Sequence, residues 1–364
     1  MVTLATSCSR KTVLKGNNLN ATFQARLTHF AFFALVCALT LWAVIHGTTL
    51  PPKVPGPPAG GVSDLDLYRE IADAVRSGQN YYTAAVEQQV KFDYPVTPAS
   101  TVRLPTAAFV VAALGETGAY ILLLGLLGIG VIGALFCFEK LTNSRTRWFG
   151  SMLLMAASLA LIAAPAAVLF SETWAFVLML LALTYWNPKR IWPAVLLGLA
   201  AVCFRELALP FLVSMAFAAG IEKRWREVAA WLSAGAAFLC LYLVHVFAVA
   251  EGVAQVVSGS PPSSPGWVYF GGWPFVVDLV RSTTPLSALP YTVAAVLSGL
   301  ALLGWYSVRR SSTGLRFLLA SLSFMLPFMA IGRSQNTYWG LLFAALLIPG
   351  AAFVSSRIFR SIKN

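Results

Sequence analysis

Apolar residues recur in long runs between residues 27 and 354, separated by short polar connections. In lipid such runs must form helix, because a backbone amide in hydrocarbon finds no water to bond. The strict alternation that a membrane barrel needs is missing. The pattern predicts spans at 27–46, 118–138, 149–169, 173–186, 191–204, 207–221, 228–250, 290–308, 317–331 and 338–354. The expected fold is all-α, a polytopic transmembrane helical bundle of about ten spans. Three middle runs fall short of the roughly 20 residues that cross a bilayer comfortably. They must borrow flanking residues or run buried among their neighbours.

Two connections on the same side are long, about 47–104 and 251–289, and long loops are where function concentrates. The first opens with a Pro/Gly-rich stretch, Pro51–Gly61. Leu65, Tyr68, Ile71, Ala72 and Val75 then recur at helical spacing, with Arg69, Glu70, Asp73 and Arg76 between them. That spacing predicts an amphipathic helix in the first outer loop, ending near Gly78 and lying along the membrane surface. The second loop interleaves Gly and Pro with Trp267, Tyr269, Phe270, Trp273 and Phe275. This fits an interfacial aromatic belt or a flexible apolar wall around a lipid chain.

Composition agrees with the pattern: 58% of the 364 residues are hydrophobic, 11% are charged and the mean hydropathy is +0.73. A water-soluble domain is excluded, since too little polar surface exists to cover it. The net charge of +12 is unevenly placed. Arg10, Lys11, Lys15, Arg26, Lys140, Arg145, Arg147, Lys189, Arg190, Lys223, Arg224, Arg226, Arg309, Arg310, Arg316, Arg357, Arg360 and Lys363 share one side with Glu139, Glu222 and Glu227 alone among the acids. The positive-inside rule then predicts cytoplasmic tails at 1–26 and 355–364 around a transmembrane domain at 27–354, its first span an uncleaved signal anchor. The basic excess reads as topology; nucleic acid is not an expected partner, because no soluble basic face exists.

Cys8, Cys37, Cys137, Cys203 and Cys240 are scattered without a CxxC, so neither a disulfide framework nor a zinc site is expected. His29, His46 and His245 are isolated and show no ligand spacing, so no metal site is predicted from them. Gly125–Gly133 is glycine-rich within an apolar run. Small residues there let helices approach closely and are not a nucleotide loop.

Asp64 and Asp66 stand just past the first span, where a carboxylate at the outer membrane surface suits a general base. Ser63-Asp64-Leu65-Asp66 also fits a capping box, with Ser63 at the N-cap. Both readings stay open. Glu172, Arg205, Glu206 and Arg333 break or abut apolar runs, and Arg103 precedes one. A charge beside hydrocarbon is expensive and faces a polar cavity or a partner. Arg103, Arg205 and Arg333 would suit a phosphate or pyrophosphate, for which the guanidinium fork is shaped. Arg205 paired with Glu206 or Glu172 as structural glue is the alternative.

Asp64, Tyr68, Ile71, Ala72, Val75 and Gly78, followed by Tyr81-Tyr82, Tyr94-Pro95, Pro98 and Arg103-Leu104-Pro105, form a pattern that resembles the GT-C class of membrane glycosyltransferases. The runs Ser171–Phe176 and Phe204–Pro210 look like those of a bacterial branch of that class. The resemblance covers topology along the whole chain and motif mainly over 60–210. It implies transfer of a sugar, usually with inversion, from a polyprenyl-phosphate carrier to a glycan, lipid or protein acceptor on the outer face of the bacterial cytoplasmic membrane. It further implies that Asp64 is the loop acid, serving as base or as ligand to a divalent cation, with Asp66 as its helper or merely a cap. Arg103, Arg205 and Arg333 would hold the donor phosphate, supported by Glu172, Glu206, Tyr68 and Tyr82. Larger members carry a C-terminal soluble domain that this sequence does not show, which leaves acceptor recognition open. Two rival readings remain. In a transporter or lipid flippase, Glu172, Arg205, Glu206 and Arg333 would line a path, although no internal repeat is visible. In a non-catalytic envelope partner, Asp64 would only cap a helix.

Overall fold

The computed structural model describes residues 5–47, 63–264, 266 and 268–354. The Pro/Gly-rich stretch Pro51–Gly61, Trp267 and the tail 355–364 lie outside them. Every extended element among the described residues is helical, and β-structure is limited to the isolated bridges Thr97 to Ser263 and Val268 to Ile331.

The helices run α1 Ala5–His46, α2 Asp64–Arg76, α3 Tyr81–Lys91, α4 Thr106–Glu139, α5 Arg145–Ser158, α6 Ser171–Thr184 and α7 Trp192–Phe204. They continue with α8 Leu209–Ile221, α9 Trp225–Val256, α10 Gly272–Ser282, α11 Tyr291–Val308, α12 Ser312–Phe328 and α13 Ala344–Leu347. The 3₁₀ segments Ser334–Leu342 and Ile348–Phe353 flank α13.

Each of the ten predicted apolar segments overlaps helical structure, and four or five of them have the length and apolarity of a span. Among the described residues four helical stretches are long and apolar enough to cross a membrane: Leu27–His46 of α1, Ala99–Glu139, which contains α4, and α9 and α11. A fifth is added if Asn336–Leu342 and Ala344–Phe353, bent by 41°, count as one broken span. Five of the other predicted segments fall on helices of 13 to 17 residues. At 1.5 Å per residue these are shorter than a bilayer's hydrocarbon core. The long helices expose apolar side chains such as Leu35 and Leu41 on α1, Ile121, Ile132 and Phe136 on α4, and Leu243 and Phe247 on α9. Lipid solvates such a surface and water does not.

At the centre lies α6, where all 14 residues are buried. A helix apolar on every face has no solvent side and is enclosed by its neighbours, here α4, α7 and Ser334–Leu342. Its N-terminus carries Ser171 and Glu172. On the side of the long loops, α2 buries Leu67, Ile71 and Ala72 against the protein. The apolar face expected to lie on the membrane surface is thus covered by α3 and α4.

Two arginines fasten α2 to α4 around a break in α4 at Gly115 (φ 71°). Arg76 donates from Nη2 to the Val111 carbonyl and from Nε to that of Ala112, both at 3.1 Å. These are the carbonyls whose helical donors would come from residues 115 and 116, at the break. Arg69 pairs with Glu116 just beyond it at 2.5 Å.

Candidate functional site

The head of α2 separates the two aspartates. Ser63 is the N-cap: its Oγ accepts from the Asp66 amide at 3.3 Å and donates to Asp66 Oδ2 at 2.6 Å. Asp66 also takes Arg69 Nη1 at 2.9 Å and is exposed. Asp64, two residues earlier, faces a cavity of about 470 Å³ and accepts from the Tyr94 hydroxyl at 2.7 Å. The capping geometry therefore belongs to Asp66, and the cavity-facing carboxylate is Asp64.

Asp64, Arg103, Arg205 and Arg333 line that one cavity, joined by Tyr68 and Tyr338. Four separate parts of the chain supply them, and the local packing explains how each is held. Arg103 sits on a loop gripped by its backbone: the Tyr81 hydroxyl donates to the Arg103 carbonyl at 2.6 Å, and His245 Nε2 reaches the Val102 carbonyl at 3.2 Å. Gln89 Nε2 donates to the carbonyls of Pro95 (2.9 Å) and Thr101 (3.2 Å) in the same loop. Tyr82 does not line the cavity. It stands behind, with its hydroxyl 3.4 Å from His245 Nδ1, so its part is to hold the histidine that holds the loop.

Behind the two lining arginines, Arg103 and Arg205, lies a charge-balanced network. Glu172, 1% exposed, offers Oε1 to Arg205 Nε at 2.8 Å and to Arg103 Nη1 at 3.3 Å. Arg205 Nη1 meets Glu206 Oε1 at 2.6 Å. Arg205 and Glu206 are thus tied as an ion pair, the structural role weighed for them, while Arg205 still borders the cavity. Neither Glu172 nor Glu206 is among the lining residues. Arg103 has one further edge: Nη2 donates to the Tyr68 hydroxyl at 3.1 Å and to that of Tyr338 at 3.0 Å, and Nε reaches Tyr68 at 3.2 Å.

Arg333 lies at the rim, where Nη2 donates to the Gly266 carbonyl at 2.8 Å and to Ser264 Oγ at 3.0 Å. The two long loops also meet directly, since the amides of Val96 and Thr97 donate to the Pro262 carbonyl at 3.0 and 3.2 Å. Within the second loop the aromatics divide: Trp273 and Phe275 are buried in the core, whereas Tyr269 and Phe270 are exposed, Phe270 stacking on Trp42. Neither a uniform belt nor a continuous apolar wall describes that split.

Burial pushes the phenol of Tyr68 well above its ordinary range, and burial together with the Asp64 hydrogen bond does the same to Tyr94. Both stay protonated donors at any physiological pH. Among the described residues no three His, Cys, Asp or Glu side chains are grouped to hold a metal ion, so a cation at Asp64 would have to complete its shell from water or substrate oxygens.

No family model, curated protein or solved structure matches this chain.

Tyr94, Tyr338 and Ser171 were not singled out from sequence as site residues, although all three line the cavity. A signal for Tyr338 was present: Ser334–Tyr338 is a polar interruption ahead of an apolar run, where a loop into a cavity is as consistent as the start of a span.

Proposed function

We propose that this chain is a membrane-embedded glycosyltransferase of the GT-C kind, which moves a sugar from a polyprenyl-phosphate carrier to a hydroxyl acceptor at the outer face of the cytoplasmic membrane. The observation that carries the reading is the convergence of Asp64, Arg103, Arg205 and Arg333 on one cavity. In this reading the short apolar helices complete the membrane domain in a bundle of about ten spans. Both termini are then cytoplasmic, and the cavity opens on the side of the long loops.

The chemistry asks little of the protein beyond placement and charge. The acceptor oxygen attacks the anomeric carbon, the carbon–oxygen bond to phosphate breaks, and the electron pair leaves on the lipid phosphate. The acceptor's proton passes to Asp64. With Oδ1 engaged by Tyr94, Oδ2 is the oxygen that takes the proton. Positive charge and hydrogen-bond donors lining the cavity favour the phosphate as it gains charge in an oxocarbenium-like transition state. Because the network pairs two arginines with two glutamates, its balance suits a single phosphodiester charge better than a diphosphate.

The test is transfer by purified protein from a panel of radiolabelled polyprenyl-monophosphate sugars. Asp64→Asn is expected to abolish transfer while the protein melts as the parent does, since the amide oxygen still accepts from Tyr94. Transfer at the parent rate by Asp64→Asn would defeat the assignment of a carboxylate base. Movement of the labelled lipid across a vesicle without any transfer would favour the transporter reading.

A further inference from the structure

Arg103 uses its outer edge on two phenol oxygens, and this fixes where the phenol hydrogens go. Tyr68 Oη accepts from Nε and Nη2 (3.2 and 3.1 Å), and Tyr338 Oη accepts from Nη2 (3.0 Å). A phenol has one O–H to give. Among the described residues no hydrogen bond runs from either hydroxyl to an acceptor: the Asn336 side chain also meets Tyr338 Oη, but its amide oxygen is taken by the Arg333 amide at 2.9 Å. Both residues line the cavity.

The rings are held. Phe170 lies 6.5 Å from the Tyr68 ring in an edge contact and 5.8 Å from that of Tyr338, and the Arg103 guanidinium lies 5.7 and 5.8 Å from the two ring centres. Glu172, shared with Arg205, fixes the opposite edge of Arg103. The two O–H donors are thus aligned by one cation before any ligand arrives, which is the preorganisation an oxyanion site requires. Arg205 is spent on Glu172 and Glu206, and Arg333 holds the second loop through Gly266 and Ser264.

From this geometry we infer that the cavity's oxyanion site is a phenol pair, Tyr68 and Tyr338, polarised by Arg103, which receives a phosphodiester oxygen through two O–H donors. The arginines act behind it as positioning charge. The inference rests on the glycosyltransferase reading only for the identity of the lipid that carries the phosphate. A hydroxyl that accepts from a cation is a stronger donor through the same oxygen. When the carbon–oxygen bond breaks, the phosphate gains a negative charge and both hydrogen bonds strengthen, so the pair helps the leaving group more than the ground state.

The experiment measures binding of a polyprenyl monophosphate, with the uncharged polyprenol as control, to purified full-length parent, Tyr68→Phe, Tyr338→Phe and the double variant by native mass spectrometry. Each Phe removes one oxygen and keeps the ring, and thermal melting checks the fold. Hydrogen bonds to charged groups of ordinary strength predict a loss of about tenfold or more per hydroxyl, with polyprenol binding unchanged. Parent-like affinity for the phosphate in both single variants and in the double variant overturns the phenol pair. An equal loss for phosphate and polyprenol also overturns it, because the tyrosines would then be lining for the chain. If the parent binds both lipids equally, or neither, the glycosyltransferase reading loses its donor. Inorganic phosphate bound by the parent but not by the double variant would then still identify an oxyanion site, and phosphate bound equally by the two would overturn the phenol pair.

Discussion

The hydroxyl of Tyr94 donates to Asp64 Oδ1 at 2.7 Å, and this bond ties the loop after α3 to the first residue of α2. It orients the carboxylate through one oxygen, and in the proposed mechanism the other takes the proton. Tyr94→Phe is expected to reduce transfer about tenfold, since a neutral donor to a carboxylate is lost and the carboxylate is freed to rotate. The measurement is kcat with parent and variant on the same donor lipid. Unchanged kcat would mean that the orientation of Asp64 is set elsewhere.

The same bond predicts a pH effect. Tyr94 is raised above its ordinary value of 10.0, first by burial and then by Asp64. The proton therefore binds more tightly in the folded protein, so the stability linked to it is complete below about pH 10 and is lost as pH rises above that value. Tyr68 and Tyr81 are raised by burial as well and share the trend. Melting temperatures from pH 8 to 11 should fall less steeply for Tyr94→Phe than for the parent. Parallel curves would show that Tyr94 ionises freely.

Asp66 should behave unlike Asp64. Asp66→Asn keeps an N-terminal acceptor near Ser63 but loses the exposed pair with Arg69. A cost of less than about 1 kcal/mol in stability is expected, with transfer intact. Loss of transfer in Asp66→Asn with an unchanged melt would return Asp66 to the reacting groups.

Much of this arrangement was legible in the chain. Helical spacing in the first long loop predicted α2, and the cost of charge near hydrocarbon picked out Glu172, Arg205, Glu206 and Arg333. Which apolar segments face lipid was not legible, because hydropathy measures apolarity and α6 is apolar with every residue enclosed by protein. The Ser63–Asp66 run left Asp64 and Asp66 equivalent, since cap and cavity differ only in where the chain beyond them folds. Tyr68 was expected only in support of the arginines, and Tyr338 escaped notice, for a related reason. A tyrosine in an amphipathic helix or beside an apolar run looks like packing until the cation behind it is seen.

The glycine run Gly125–Gly133 was expected to let helices meet along its length, and only its second half does. A Cβ at Gly125 or Gly128 would meet nothing within 4 Å, whereas at Gly133 it would lie 2.7 to 2.9 Å from Thr184 and Tyr185. Gly125→Ala and Gly128→Ala should be neutral or stabilising by up to about 1 kcal/mol through helix propensity. Gly133→Ala should destabilise by about 1–3 kcal/mol through overpacking against α6. Melting curves of the three variants in one detergent compare them directly, and a uniform response along the run would contradict this division.

Glu172 carries the heaviest expected cost. Its Oε1 is shared by Arg205 and Arg103, and the side chain is 1% exposed. Removing one partner of a buried ion pair leaves charge without compensation and costs about 3–5 kcal/mol. Glu172→Gln keeps the shape and a carbonyl oxygen, so the loss it causes is mainly electrostatic. Among the described residues Glu206 forms an ion pair with Arg205 alone and is 19% exposed, so Glu206→Gln should cost less. The two variants should also separate in function. Freed from Glu172, Arg103 can rotate off the oxygens of Tyr68 and Tyr338, whereas Glu206→Gln leaves that edge in place. Melting curves and transfer rates of both variants test the ordering together: Glu172→Gln should be lower in each. A Glu206→Gln variant that melts below Glu172→Gln would show that the network is centred on Arg205 and not on the shared carboxylate.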